Sequence, residues 1–128
     1  MSPEVRAIIE AAVTAAGSDV KEAVSSEYLL VFGNGCYAAG RYDDAAEAFS
    51  TILKDEPSLA DARFNLGLTY LRLRCPQDAV REFTDLLVQH PGLAEAFYQR
   101  GNGNDDLGYT DQALADYSRA IELVPDYV

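Results

Sequence analysis

The chain has 128 residues, 48% of them hydrophobic, and 10 Lys and Arg against 21 Asp and Glu give a formal net charge of −11. That excess of acid argues against nucleic acid, whose phosphates need a basic surface, and against an anionic membrane surface, which would repel it. A protein or peptide partner, above all a basic one, is compatible, and no segment approaches the run of about 18 apolar residues that a membrane span needs.

Taken in order, the N-terminal stretch MSPEVRAIIEAAVTAAG lacks the basic start and continuous apolar run of a signal peptide. It predicts an amphipathic helix instead. Ser2 caps it, Pro3 sits in the first turn, and Val5, Ile8, Ile9, Ala12, Val13 and Ala16 form one apolar stripe that ends at Gly17. A second helix starts at Ser18 or at Ser25–Ser26 and runs to about Ala39. Gly40–Arg41–Tyr42 then makes a turn, and Asp43 and Asp44 open a third helix that Pro57 stops. Further helices are predicted near Ala60–Leu73, Pro76–Gln89, Ala94–Leu107 and Asp111–Val124, the last capped by Thr110. Turns this short make neighbouring helices antiparallel.

One register organises these elements. Gly33, Gly67 and Gly101 are spaced by 34 residues, as are Ala45, Ala79 and Ala113, Phe49, Phe83 and Tyr117, and Pro57, Pro91 and Pro125. A fixed period of this kind marks a repeat array. Glycine within a helix costs about 1 kcal/mol against Ala, so its recurrence points to a close approach between helices. The alanines supply a second small surface at that approach, and the aromatics, four residues on, lie on the same face and are expected to fill the space between one hairpin and the next.

On these residues the pattern resembles the tetratricopeptide repeat, two antiparallel helices per 34 residues, across Ser26–Tyr127. The resemblance implies an all-α fold: a right-handed superhelical solenoid of three helix-turn-helix repeats (26–59, 60–93 and 94–127). They form one domain over 26–128, with residues 1–25 as an extra N-terminal helix and connector outside the register. The sequence departs from the family at two positions. Leu29, Arg63 and Phe97 stand where a large aromatic is common, and of Cys36, Tyr70 and Asn104 only the middle residue is the usual Tyr.

The resemblance also implies that the first helices of the repeats line a concave groove. Three rows then face a ligand: acidic Glu27, Asp61 and Glu95; apolar Leu30, Phe64 and Tyr98; and mixed Asn34, Leu68 and Asn102, with Val31, Tyr37, Asn65, Arg72 and Gln99 nearby. Such a groove suits a peptide that is basic and apolar, although acids also favour the first turns of helices for local reasons. Members of the family that grip the C-terminal carboxylates of heat-shock chaperones do so with Lys, Arg and two Asn. Asn34 and Asn65 match the amides, but Leu30, Glu95 and Gln99 occupy the basic positions, so a carboxylate tail is not the expected ligand.

Asn102–Asp106 (NGNDD) consists of poor helix formers inside a predicted helix. It reads as a helix weakened at its solvent face, as a polar interior lining at Asn104, or as a metal or ligand site of Asn102, Asn104, Asp105 and Asp106. As a calcium loop it fails, with Gly108 one place late and Ala113 where a Glu is needed. His90, the single histidine, lies at a helix end, and no nucleophile, phosphate loop or metal cluster accompanies it. The expectation is a non-enzymatic adaptor or scaffold without cofactor or metal. Cys36 and Cys75 do not make a disulfide framework and read as free thiols, which fits a cytoplasmic protein. The alternative is a self-associating assembly protein. Leu114, Tyr117 and Ile121, with Val124, line a helix that no further repeat of this sequence follows. They are expected to be covered by a second copy in a homodimer, by a C-terminal helix beyond this sequence, or by the N-terminal helix.

Overall fold

The computed structural model describes residues 25–124 together with Pro3, Arg6, Ala7 and Ala11, and these residues contain helices and turns but no strand. Of the predicted N-terminal helix those four residues are helical and exposed; its apolar stripe, its cap at Ser2 and the role of Gly17 lie outside the described residues, as does Pro125. Six helices follow in order: α1 (Ser26–Ala38), α2 (Tyr42–Asp55), α3 (Ala60–Arg72), α4 (Pro76–Gln89), α5 (Ala94–Asp106) and α6 (Thr110–Leu123). They pair as three hairpins. By backbone contacts the chain divides into two compact units, 1–65 and 66–128.

Local chemistry sets the ends of the helices. Ser25 caps α1, its hydroxyl accepting from the Tyr28 amide at 3.3 Å. Asp43 and Asp44 lie in the first turn of α2, which begins one residue ahead of them at Tyr42. Helices α2 and α4 stop at Asp55 and Gln89, two residues before Pro57 and Pro91. At α6 the expected cap is displaced by one place. Thr110 is the first helical residue and Tyr109 the cap, without a side-chain capping bond, because the tight turn before it brings the chain directly into the helix.

That turn recurs in each hairpin. The amides of Arg41, Cys75 and Tyr109 donate to the carbonyls of Cys36, Tyr70 and Asn104 at 2.8, 2.9 and 2.8 Å. Each thus closes the last turn of a first helix in a Schellman motif. The residue before each donor is left-handed: Gly40 at φ 79°, Gly108 at φ 78° and, between them, Arg74 at φ 62°. The middle repeat therefore carries a side chain where the other two avoid one, at a cost of about 1 kcal/mol.

Inside each hairpin the glycine row meets the aromatic row rather than the alanine row, so each ring packs within its own hairpin and not only in the space before the next. A Cβ on Gly33 would fall 2.7 Å from the Phe49 ring, on Gly67 2.6 Å from Phe83, and on Gly101 2.6 Å from Tyr117. Phe49 and Phe83 have no exposed surface, and Ala45 and Ala79 beside them none either. Cys36 is buried in the first unit. Its burial pushes the thiol up from its ordinary value, the charge of Asp44 adds to this, and Arg41 opposes it. Asp44, itself buried, is held by an ion pair with Arg41.

Candidate functional site: the first-helix faces

In the first unit, α1 and the start of α3 carry seven of the predicted groove residues. Glu27, Asn34 and Asp61 are exposed, and Leu30, Tyr37, Phe64 and Asn65 are half-buried. Two of them meet: Asn65 Nδ2 donates to Asn34 Oδ1 at 2.8 Å. Tyr37 stands edge-on to Tyr42, the ring centroids 5.4 Å apart.

The second unit carries the remaining six. Arg72 is exposed, while Leu68, Glu95, Tyr98, Gln99 and Asn102 are half-buried. Along α5, Gln99 Nε2 donates to Glu95 Oε1 at 3.4 Å and Asn102 Nδ2 donates to Gln99 Oε1 at 3.1 Å. The Tyr117 hydroxyl closes the line, donating to Asn102 Oδ1 at 2.7 Å. Its ring lies 5.7 Å from that of Tyr98. Burial raises the Tyr117 phenol above its ordinary value, and the negative charge of Asp105, Tyr98, Asp106 and Asp116 adds to the shift. The result is a row of hydrogen-bonded amides, flanked by two phenol rings, with Glu95 at one end and exposed Asp105 and Asp106 at the other.

Tyr117 consequently differs from the residues grouped with it as an open apolar face. It is half-buried against α5, whereas Leu114, Ile121 and Val124 are exposed. Asn102–Asp106 is also not a helix weakened at its solvent face. Helix α5 runs through it to Asp106, with Gly101, Gly103 and Asn104 buried. Gly103 lies under Val80, whose Cγ2 would be 2.8 Å from a Cβ there. Only Asp105 and Asp106 of the stretch are exposed, and no group of His, Cys, Asp and Glu among the described residues could hold a metal.

Behind the row lies a network of which the sequence offers one member, Asn104, as a polar interior lining, but neither Arg100 nor Asp116. Asp116 on α6 receives Arg100 Nε and Nη2 at 2.9 and 2.7 Å, and Asn104 Nδ2 at 2.9 Å. Arg100 Nη1 also reaches Thr84 Oγ1 at 3.4 Å, and its guanidinium stands 5.4 Å from the centre of the Phe97 ring. The signal was present in the register. Phe32, Leu66 and Arg100 form one row, and Cys36, Tyr70 and Asn104 another. Two polar replacements in the same repeat point to a shared partner. An open recess of about 350 Å³, lined by Val80, Thr84, Arg100, Asn104, Gln112, Ala115 and Asp116, lies over this network. No buried side-chain nitrogen or oxygen among the described residues lacks a partner.

Hairpins repeated in a 34-residue register, each with a small residue of the first helix under an aromatic of the second, define an all-α repeat protein. A tetratricopeptide repeat family model matches residues 30–94, and the chain belongs to that family. It is 29% identical over 109 residues to tetratricopeptide repeat protein 13 of Homo sapiens, covering 81% of this chain and 12% of that protein. It is 30% identical over 111 residues to outer envelope protein 61 of Arabidopsis thaliana, covering 80% of this chain and 20% of that protein. The chain thus spans a small part of these relatives. Among solved structures, the first repeat domain of Spaghetti (RPAP3) bound to HSP90 peptide SRMEEVD shares the fold at TM-score 0.77 and 24% identity, over 80% of this chain and 81% of that one. MamA does so at TM-score 0.74 and 20% identity, over 93% of this chain and 72% of that one.

Proposed function

We propose that the chain is a non-enzymatic, cytoplasmic protein-interaction module of the adaptor or scaffold kind. Its first helices hold a basic and apolar peptide segment; nucleic acid and membrane surfaces are not its partners. The observation that carries this reading is the α5 row. Glu95, Gln99 and Asn102 are held in line by their own hydrogen bonds and by Tyr117, beside the half-buried Tyr98. Side chains already ordered lose less entropy on binding. The amides suit a ligand backbone, the phenol ring an apolar or cationic side chain, and the acids a Lys or Arg.

The SRMEEVD peptide is a ligand of the RPAP3 domain, and its acidic character is the reverse of what this chain's residues favour. Leu30, Glu95 and Gln99 replace the basic residues that the carboxylate-gripping members of the family use, and Asn34 and Asn65 bond to each other. Fluorescence polarisation against a peptide set tests the reading. Peptides with Lys or Arg next to a Leu or Phe are expected to bind, more weakly as salt screens the charges. Glu95→Lys is expected to weaken them. Preference for SRMEEVD or other acidic peptides would overturn it.

A second reading is favoured by Leu114, Ile121 and Val124, exposed to 58%, 50% and 42%. Here the open faces of the terminal helices are interfaces between copies of the chain, in a homodimer or a larger assembly.

A further inference from the structure

The second unit contains an inter-repeat contact that can serve as a template. Val80 of α4 lies over Gly103 of α5, its Cγ2 at 2.8 Å from where a Cβ would be. In the same pair of helices Leu87 of α4 is 7% exposed and Ala96 of α5 is fully buried. Among the described residues, two other helices carry the two halves of this contact without its counterpart. One register later, α6 has Leu114 at the position of Val80 and Ile121 at that of Leu87. Both are half exposed or more, where Leu87 is 7% exposed and Val80 is half-buried. Two registers earlier, α1 has Gly35 at the position of Gly103 and Tyr28 at that of Ala96. Gly35 is exposed, and a Cβ built on it would meet nothing within 4 Å.

The two faces are therefore the halves of one interface. An α4-type surface offers branched apolar side chains, and an α1-type surface offers a glycine seat to receive the first of them. Both belong to the same chain, so the surface that fits α6 of one copy is α1 of another. We infer that copies of this chain associate head to tail, with Leu114 of one copy seated over Gly35 of the next as Val80 is seated over Gly103. This rests on the reading of the open helix faces as subunit interfaces and specifies which face meets which. The contact is heterologous: each copy uses two different surfaces, and addition continues from either end rather than closing as a pair. The 34-residue register supports this geometry over a two-fold pairing of α6 with itself, which would set Leu114 and Ile121 against their own copies with no small residue to receive them.

Two substitutions separate the possibilities. Leu114→Glu spoils the α6 face at an exposed site. Gly35→Glu spoils the α1 face at a position with room for a side chain, and replacing a helical glycine favours the monomer's own fold. Circular dichroism establishes that both variants remain folded, and sedimentation velocity is run on the 128-residue chain and both variants over a concentration series. The parent is expected to form a ladder of sizes that grows with concentration, and each variant alone to stay monomeric. An equimolar mixture is expected to stop at a dimer, because Gly35→Glu keeps a sound α6 face and Leu114→Glu a sound α1 face. A parent that is monomeric at all concentrations overturns both the inference and the reading beneath it. A parent that stops at a dimer, with Gly35→Glu still dimeric and Leu114→Glu not, overturns head-to-tail pairing alone and leaves the faces as subunit interfaces.

Discussion

In the hairpin α1–α2 three register positions hold Phe32, Cys36 and Ala48; in α5–α6 the same positions hold Arg100, Asn104 and Asp116. The backbone is equivalent, down to the Schellman turn and the glycine under the ring. The filling is apolar in one and a closed polar network in the other. The aromatic follows suit: Phe49 has no exposed surface, while Tyr117 is half-buried and spends its hydroxyl on Asn102. The repeat geometry thus asks for volume and satisfied atoms at these sites rather than for one chemistry. The polar solution has a consequence for function, since it fastens α6 to the helix that bears Glu95, Gln99 and Asn102.

The sharpest way to break the comparison is Asp116→Ala. It strands the partly buried Arg100 guanidinium and the Asn104 amide together, and we expect a loss of about 3 kcal/mol, read from urea unfolding. The combined change Arg100→Phe, Asn104→Cys and Asp116→Ala copies the first hairpin into the third. It should recover most or all of that loss, because well-packed apolar groups often match a buried ion pair.

Next comes the glycine seat. Gly33→Leu should cost about 2–3 kcal/mol by overpacking, since Phe49 has nowhere to go, and Gly67→Leu the same against Phe83. Gly101→Leu should cost about 1 kcal/mol less, because the half-exposed Tyr117 can yield. Equal losses at all three sites, measured by thermal unfolding, would show that exposure of the ring does not matter.

Arg74 tests the turn that the hairpins share. Arg74→Gly gives the middle repeat the residue that its neighbours use at positive φ, and should stabilise by about 1 kcal/mol.

Tyr117→Phe is the smallest change and removes the bond to Asn102 only. We expect a loss of about 0.5 kcal/mol together with weaker binding of any ligand that uses the α5 row. It has a pH signature as well. The folded state raises the Tyr117 phenol above its ordinary 10.0, so the folded protein holds that proton more tightly than the unfolded chain. The associated stability is complete below pH 10 and is lost as pH rises above it through the folded value. Tyr117→Phe should fall less steeply over that range than the parent.

Much of this was legible from spacing alone. The period of 34 identified the hairpins and the helix ends within a residue or so, because these depend on local propensity and on a register that repeats three times; the seat of Phe49 on Gly33 inside its own hairpin was decided by packing. NGNDD shows the limit. Its residues are poor helix formers, and propensity argued for weakness, yet Gly103 is there because Val80 comes too close for a side chain and Asn104 because Asp116 faces it. The partners lie 23 and 12 residues away in the chain, so no window of local sequence weighs their energies against the propensity. Exposure was undetermined for the same reason. Leu114, Tyr117 and Ile121 share one helical spacing, and only the packing of α6 on α5 turned Tyr117 inward and left the other two open. The order of polar and apolar residues determined that this chain folds as helical repeats. Which polar groups are paired, and which apolar ones remain for a partner, was decided by contacts between helices, where the cost of leaving a group unsatisfied outweighs any preference of the residue itself.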